Sequence, residues 1–158
     1  MIYLDYSATT PMDPRVIEAM TPYFSASFGN PSSVHRFGQA AESAVDSARE
    51  TVARVLHCAP SEIIFTSCGS ESDNLAIRGA AYAMREKTGA NWLLASRAEH
   101  PAVTKTLAHL EKYEGFSIEW LDVDERGRVA PETAASAICG NTAVVSVMYA
   151  NNEIGTIN

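Results

Sequence analysis

Between Phe37 and Leu56 apolar residues recur every three or four positions: Phe37, Ala41, Ala44, Val45, Ala48, Val52, Val55 and Leu56. Glu42, Asp46, Glu50 and Arg54 fall on the opposite side. That period predicts a long amphipathic helix with one face turned to a core. A shorter helix is expected from Pro14 to Phe24, with Pro14 near its first turn and Ile17, Met20 and Phe24 on one face. Residues 1–10 read as an extended arm carrying Tyr3, Asp5 and Tyr6, and Phe28-Gly29-Asn30-Pro31-Ser32-Ser33 reads as a turn-rich loop.

From residue 61 the rhythm changes. Short runs rich in β-branched residues alternate with helix-like segments, predicting strands near 62–67, 92–96, 116–122 and 142–149 and helices near 71–87, 101–114 and 131–139. Pro101 and Pro131 suit the first turns of their helices. Alternation of this kind predicts an α/β fold, a mainly parallel sheet flanked by helices, preceded by an N-terminal helical segment. The division expected is an arm and helices over 1–60 and a sheet-containing region over 61–158. The chain stops at Thr156-Ile157-Asn158, just past a predicted strand that no helix follows, so the pattern reads as cut.

In open α/β sheets ligands bind beyond the carboxyl ends of the strands. The unusual polar residues fall there, in Cys68-Gly69-Ser70, Arg97-Ala98-Glu99-His100 and Asn151-Asn152-Glu153. If the sheet is parallel, these loops share one rim. Gly69 lets a ligand approach the backbone closely, and the first-turn amides of the following helix carry partial positive charge. Such a place holds phosphate or carboxylate. It is not a Walker loop, because no Gly-Lys-Ser/Thr follows, and the glycine spacing does not fit a dinucleotide fingerprint. Each loop has a plainer reading too. Gly69-Ser70 suits a simple turn and cap, His100 a helix-capping or solvated histidine, Asn151-Asn152 a turn, and Cys68 a small core residue. At a helix N-terminus the Cys68 thiol would titrate low. A metal held by Glu99, His100 and Glu153 is conceivable, but no ligand spacing supports it.

Composition narrows the function classes. The 12 basic and 19 acidic residues give a formal charge of −7, which argues against nucleic acid and anionic membranes as partners. No apolar stretch approaches spanning length and no signal peptide is visible. Cys58, Cys68 and Cys139 form neither a disulfide framework nor a metal spacing, which fits a reducing cytoplasm.

Taken together, Tyr3 to Pro11, Phe28 to Ser33, Phe65 to Ile77, Glu99-His100-Pro101-Ala102-Val103 and Asn151 to Thr156 resemble the cysteine desulfurases of the class V aminotransferase group. The resemblance covers the whole chain, and Cys68-Gly69-Ser70 leans toward the NifS-like branch. It implies the large domain of a fold type I, pyridoxal 5'-phosphate-dependent transferase. It implies that Gly69 and Ser70 hold the cofactor phosphate, that His100 stacks on the pyridine ring and assists proton transfer, and that Asn152 bonds the phenolic oxygen. Ala8, Thr9 and Asn30 lie in stretches that approach the site or subunit boundary in the family. L-cysteine is the implied substrate, a homodimer the implied assembly, and a sulfur-acceptor or iron–sulfur scaffold protein the implied partner.

The family chemistry also needs a lysine that bonds the cofactor aldehyde, an aspartate on the pyridine nitrogen and a cysteine that takes the sulfur. In the family order all of these lie beyond residue 158. Lys87, Lys105 and Lys112 match no such motif, and the helical pattern predicts them solvated and far from the rim. The chain alone is thus expected to lack desulfurase activity. Other readings are a selenocysteine lyase or another class V enzyme, a non-catalytic scaffold module, and a small thiol enzyme using Cys68 and His100.

Overall fold

The computed structural model describes residues 2–158 and resolves into two compact units, one ending at Phe65 and the other running from Thr66 to Asn158. Met1 of the expected arm lies outside the described residues.

In the second unit, α3 (Gly69–Thr88) leads into β1 (Trp92–Ser96), followed by α4 (Pro101–Glu114), β2 (Ser117–Leu121), α5 (Pro131–Ala137) and β3 (Thr142–Ser146). The strands form a parallel sheet in the order β2-β1-β3. Leu93, Leu94, Ala95 and Ser96 of the central strand are fully buried. This explains why that strand reads as a continuous apolar run rather than an alternating one. Leu93 and Ala95 share a face and pack with Ile77 and Ala81 of α3 and Val103, Leu107 and Leu110 of α4. Each fully buried leucine there stabilises the fold by about 1.5–3 kcal/mol.

Helix ends are set by local chemistry. Gly89 (φ 79°) and Gly115 (φ 72°) take the left-handed conformation that stops α3 and α4 and turns the chain back toward the sheet. The guanidinium of Arg85 donates to the Glu114 carbonyl at 2.7 Å and lies 4.0 Å from the Phe116 ring centroid, tying the two helix ends together. Because α3 ends at the start of β1, its N-terminus sits at the carboxyl end of the sheet.

The first unit contains α1 (Pro14–Met20), a 3-10 turn over Thr21–Phe24, α2 (Arg36–Leu56) and a second 3-10 turn over Pro60–Glu62. Asp13 caps α1 by accepting from the Arg15 amide at 2.8 Å. His35 caps α2, its Nδ1 accepting from the Gly38 amide at 3.3 Å. The loop at Gly29 lies so close to α2 that a Cβ there would fall 2.3 Å from the Phe37 carbonyl oxygen. In the arm, the Tyr3 hydroxyl donates to the carbonyls of Asp5 and Thr9.

The strand expected over 62–67 does not form. Residues 60–62 make the 3-10 turn and 63–66 run without a strand partner among the described residues. A β-branched run dictates an extended backbone, but a strand also needs a neighbour to complete its hydrogen-bond ladder. Here Ile64 is 69% and Phe65 48% exposed. The Arg49 guanidinium takes the role of a partner, donating to the Ile63 carbonyl and lying 5.0 Å from the Phe65 ring centroid. The last strand is shorter than its sequence pattern, ending at Ser146 rather than 149, because its neighbour β1 stops at Ser96.

Candidate functional site

The loops predicted to share a rim do so. The turn after β1 and the segment after β3 are joined directly: the Asn151 side-chain amide donates to the Ala98 carbonyl at 3.1 Å, and the Met148 amide donates to the Glu99 carboxylate at 2.5 Å. The N-terminus of α3 faces the same end of the sheet. Ser70 lines a cleft of about 400 Å³ with Asn74, Arg78, His100, Lys105 and His109. His100 also lines a neighbouring cleft of about 460 Å³ with Asp73, Glu99 and the strand residues Val144 to Met148. A third cleft of about 580 Å³, between Asp122, Arg128, Thr133 and Asn158, includes none of the predicted site residues.

The start of α3 is organised by hydroxyls and one carboxylate. The Ser67 amide and hydroxyl both donate to Glu71 Oε2 at 2.6 Å, and the Thr66 and Ser72 hydroxyls share a 2.6 Å hydrogen bond. The Ser67 hydroxyl and amide hold the Glu71 carboxyl below its usual range. Cys68 is the N-cap residue and is exposed. The nearby Glu71 amide, the Ser67 hydroxyl and the Ser70 amide favour the thiolate and push the thiol below its usual range. The sulfur thus occupies the place where the helix amides attract negative charge. Beside it Gly69 is open: a Cβ built there meets nothing within 4 Å. Exposed helix amides with free space above Gly69 fit a phosphate group.

His100 is the N-cap of α4, and its Nδ1 accepts from the Ala102 amide at 3.1 Å. The capping role and the place on the rim are therefore both real. With Nδ1 acting as acceptor, the neutral ring carries its proton on Nε2. Asn152 follows Asn151 on the turn after β3, is exposed, and lines neither cleft beside His100. The structure thus brings Ser70 and His100 to one cleft and places Asn152 on the same rim outside it.

Sequence reasoning set aside two residues that the structure brings to the site. Lys105 is solvated as expected, but it is not far from the rim, because it lines the cleft with Ser70 and His100. The signal was present in the helical spacing. Ser70, Asn74 and Arg78 recur every four residues on α3, as do Pro101, Lys105 and His109 on α4, so each set forms a stripe. Glu99, a rim residue to which the sequence assigns no role beyond a conceivable metal ligand, accepts from the Met148 amide and from the Ser146 hydroxyl at 3.4 Å. Burial raises its pKa, and the nearby Asp73 charge adds to that. Among the described residues no group of three His, Cys, Asp or Glu side chains is arranged to hold a metal.

Comparison with known proteins gives a consistent answer. The family model described as aminotransferase class-V matches residues 2–158. A putative cysteine desulfurase IscS 1 of Bacillus subtilis is 50% identical over 156 residues, which are 99% of this chain and 40% of that protein. A cysteine desulfurase IscS of Clostridium botulinum is 49% identical over 99% of this chain and 38% of its own length. Among solved structures, a NifS-like protein superimposes with a TM-score of 0.89 at 39% identity, covering 96% of this chain and 41% of the other. SspA in complex with cysteine gives a TM-score of 0.90 at 39% identity, covering 98% and 44%. The chain therefore spans about 40% of the length of the curated relatives it matches.

Proposed function

Since this chain belongs to the aminotransferase class-V family, we propose that it is the N-terminal portion of a pyridoxal 5'-phosphate-dependent cysteine desulfurase. The intact enzyme would convert L-cysteine to L-alanine and pass the sulfur to an enzyme cysteine as persulfide, for delivery to an iron–sulfur scaffold or another acceptor. The observation that carries the reading is Ser70, next to the open Gly69 position at the α3 N-terminus, sharing a cleft with His100, in a chain about half identical to proteins named cysteine desulfurase.

Pyridoxal phosphate, when bound, supplies an electron sink for a substrate amino acid. The residues of this chain bind and orient. The Gly69 and Ser70 amides and the Ser70 hydroxyl would hold the phosphate, with Lys105 adding positive charge along the cleft. His100 would pack against the ring. Its Nδ1 is committed to the Ala102 amide, so Nε2 is the atom through which a proton moves. Asn152, on the same rim outside that cleft, would donate to the phenolic oxygen. The Cys68 sulfur competes for the same helix amides and is a poor candidate for the sulfur acceptor. Residues 1–60 contribute the arm and part of a small domain. The intact enzyme is a cytoplasmic homodimer, which sedimentation at dilute concentration tests; a fully active monomer would refute it.

The test is direct. The intact enzyme, loaded with pyridoxal phosphate and given cysteine, should release alanine and sulfide well above a control of cofactor without protein. The 158-residue chain alone should not exceed that control. Turnover by the short chain, or none by the intact protein, would overturn the proposal.

A further inference from the structure

We infer that Glu99 and Asn151 are positioning residues, a two-sided clasp that fastens the β1–α4 turn to the segment leaving β3 and thereby fixes His100 and Asn152 relative to one another. The inference deepens the proposed cofactor site and rests on it for the roles of His100 and Asn152.

Past Ser146 the backbone leaves β1, which ends at Ser96, and its next pairing among the described residues is the antiparallel bridge of Ala150 with Ile157, so the Met148 amide lies between the two. A half-buried amide left in that position would be costly. Glu99 meets the need from the other loop. One carboxylate oxygen accepts from the Met148 amide and the other from the Ser146 hydroxyl. With both oxygens engaged, Glu99 is suited to hold two loops together rather than to take part in proton transfer.

Asn151 closes the clasp from the opposite side. Its Nδ2 donates to the Ala98 carbonyl at 3.1 Å, while its Oδ1 accepts from the Glu153 amide at 2.9 Å and the Ile154 amide at 3.2 Å. The same side chain therefore shapes its own turn and anchors it to the β1–α4 loop. The Ala98 amide is itself held by the Ser96 hydroxyl at 3.0 Å. His100 follows Glu99 and Asn152 follows Asn151, so each proposed cofactor contact is a single peptide step, about 3.8 Å, from a clasp residue. Movement at either clasp residue is passed to its neighbour across that step.

The test is hydrogen exchange by mass spectrometry on the intact protein without cofactor, with pyridoxal phosphate affinity measured alongside. Glu99→Ala should speed exchange in both the 98–102 and 147–152 segments by about tenfold, because one charge-assisted hydrogen bond is lost. Exchange across Leu93 to Ala95 should not change. Asn151→Ala should loosen the same two segments. Glu99→Gln keeps an acceptor for the Met148 amide and should exchange no faster than the wild type. Each alanine variant should bind the cofactor about tenfold more weakly, and the double variant by less than the product of the two. Loosening confined to the mutated loop, or weaker binding with unchanged exchange, would overturn the clasp. A wild-type protein that takes up no pyridoxal phosphate would refute the cofactor reading instead, while the exchange pattern still decides the clasp. If Glu99→Ala does not fold, Asn151→Ala and Glu99→Gln decide it by the same segments.

Discussion

Replacing Gly69 by valine separates anion binding from folding at a single position. A Cβ at Gly69 meets nothing within 4 Å beyond its chain neighbours and the backbone of its own helix, so a side chain there starts into open space. Gly69 is the first residue of α3. Exchanging glycine for valine there should change stability by no more than about 0.5 kcal/mol. The space the valine fills is the space a phosphate needs in order to reach the helix amides. A hydrogen bond from an amide to a charged acceptor contributes about 1.5–3 kcal/mol. Losing one good bond should therefore weaken pyridoxal phosphate binding about ten- to a hundredfold in the intact enzyme. Gly69→Ala should fall between the wild type and Gly69→Val.

Two other glycines provide the contrast. A Cβ at Gly38 would lie 2.1 Å from the Ser33 carbonyl oxygen, and one at Gly29 2.3 Å from that of Phe37. Alanine at either position should destabilise the fold by about 1–3 kcal/mol, as overpacking does, with no direct effect on phosphate. Thermal melting and an absorbance titration with the cofactor measure the two effects on the same samples. If Gly69→Val binds the cofactor within twofold of the wild type, the phosphate does not sit at this helix end. If it melts well below the wild type, the open space read at Gly69 is wrong.

Further outcomes follow from the same rim. His100→Ala should lower turnover with cysteine and cost about 1 kcal/mol of stability through the lost cap; His100→Asn should restore the melting temperature but not the turnover, and a fully active His100→Asn would leave His100 a cap only. Cys68 should be alkylated by iodoacetamide with a pH midpoint below that of a free cysteine thiol, because the Glu71 amide and then the Ser67 hydroxyl favour the thiolate. Pyridoxal phosphate should slow that reaction by taking the same helix amides, and an unaffected rate would refute the shared site. Glu99 has a raised pKa because of burial, with Asp73 on α3 adding repulsion. Its protonated form is therefore favoured by folding, so that contribution is complete below the unfolded pKa and is lost as pH rises through the folded one. Glu99→Gln should gain stability relative to the wild type across that window, as chemical denaturation at several pH values would measure, and parallel curves would refute the sign.

What could be read in the sequence depended on whether the signal was local. The helices from Pro101 and from Phe37 follow from periodicity and end signals within their own segments, and the structure places them at Pro101–Glu114 and Arg36–Leu56. Trp92–Ser96 and Ser117–Leu121 were legible as short apolar runs between helices. The run at Ile63-Ile64-Phe65 carried the same signal and failed, because pairing depends on a neighbour that no local pattern reports. The site divides in the same way. Gly69-Ser70 and His100 were visible as polar residues at the ends of strands. Glu99 was visible there too, but its role was not, because its partners at Ser146 and Met148 lie 47 and 49 residues away in the chain. Lys105 was visible in principle, since its spacing from Pro101 aligns it with the rim, but it was read as one more charge on a solvated helix.

The parallel sheet explains why such distant segments converge. With β2, β1 and β3 all pointing the same way, every strand delivers its outgoing loop to one edge, and every helix that returns to the sheet begins near that edge. Helix N-termini and strand exits are therefore gathered together without further design, which makes the edge suitable for an anion but leaves its loops to be held by side chains. The hydrogen bonds of the structure meet that second need unevenly. The turn after β1 is tied through Ser96, Glu99 and Asn151, and the start of α3 through Thr66, Ser67, Glu71 and Ser72. These two knots hold the segments that carry His100 and Ser70, which share a cleft. An anion bound there would contact amides and an imidazole whose positions are set by contacts behind them, so binding would cost little ordering of the loops.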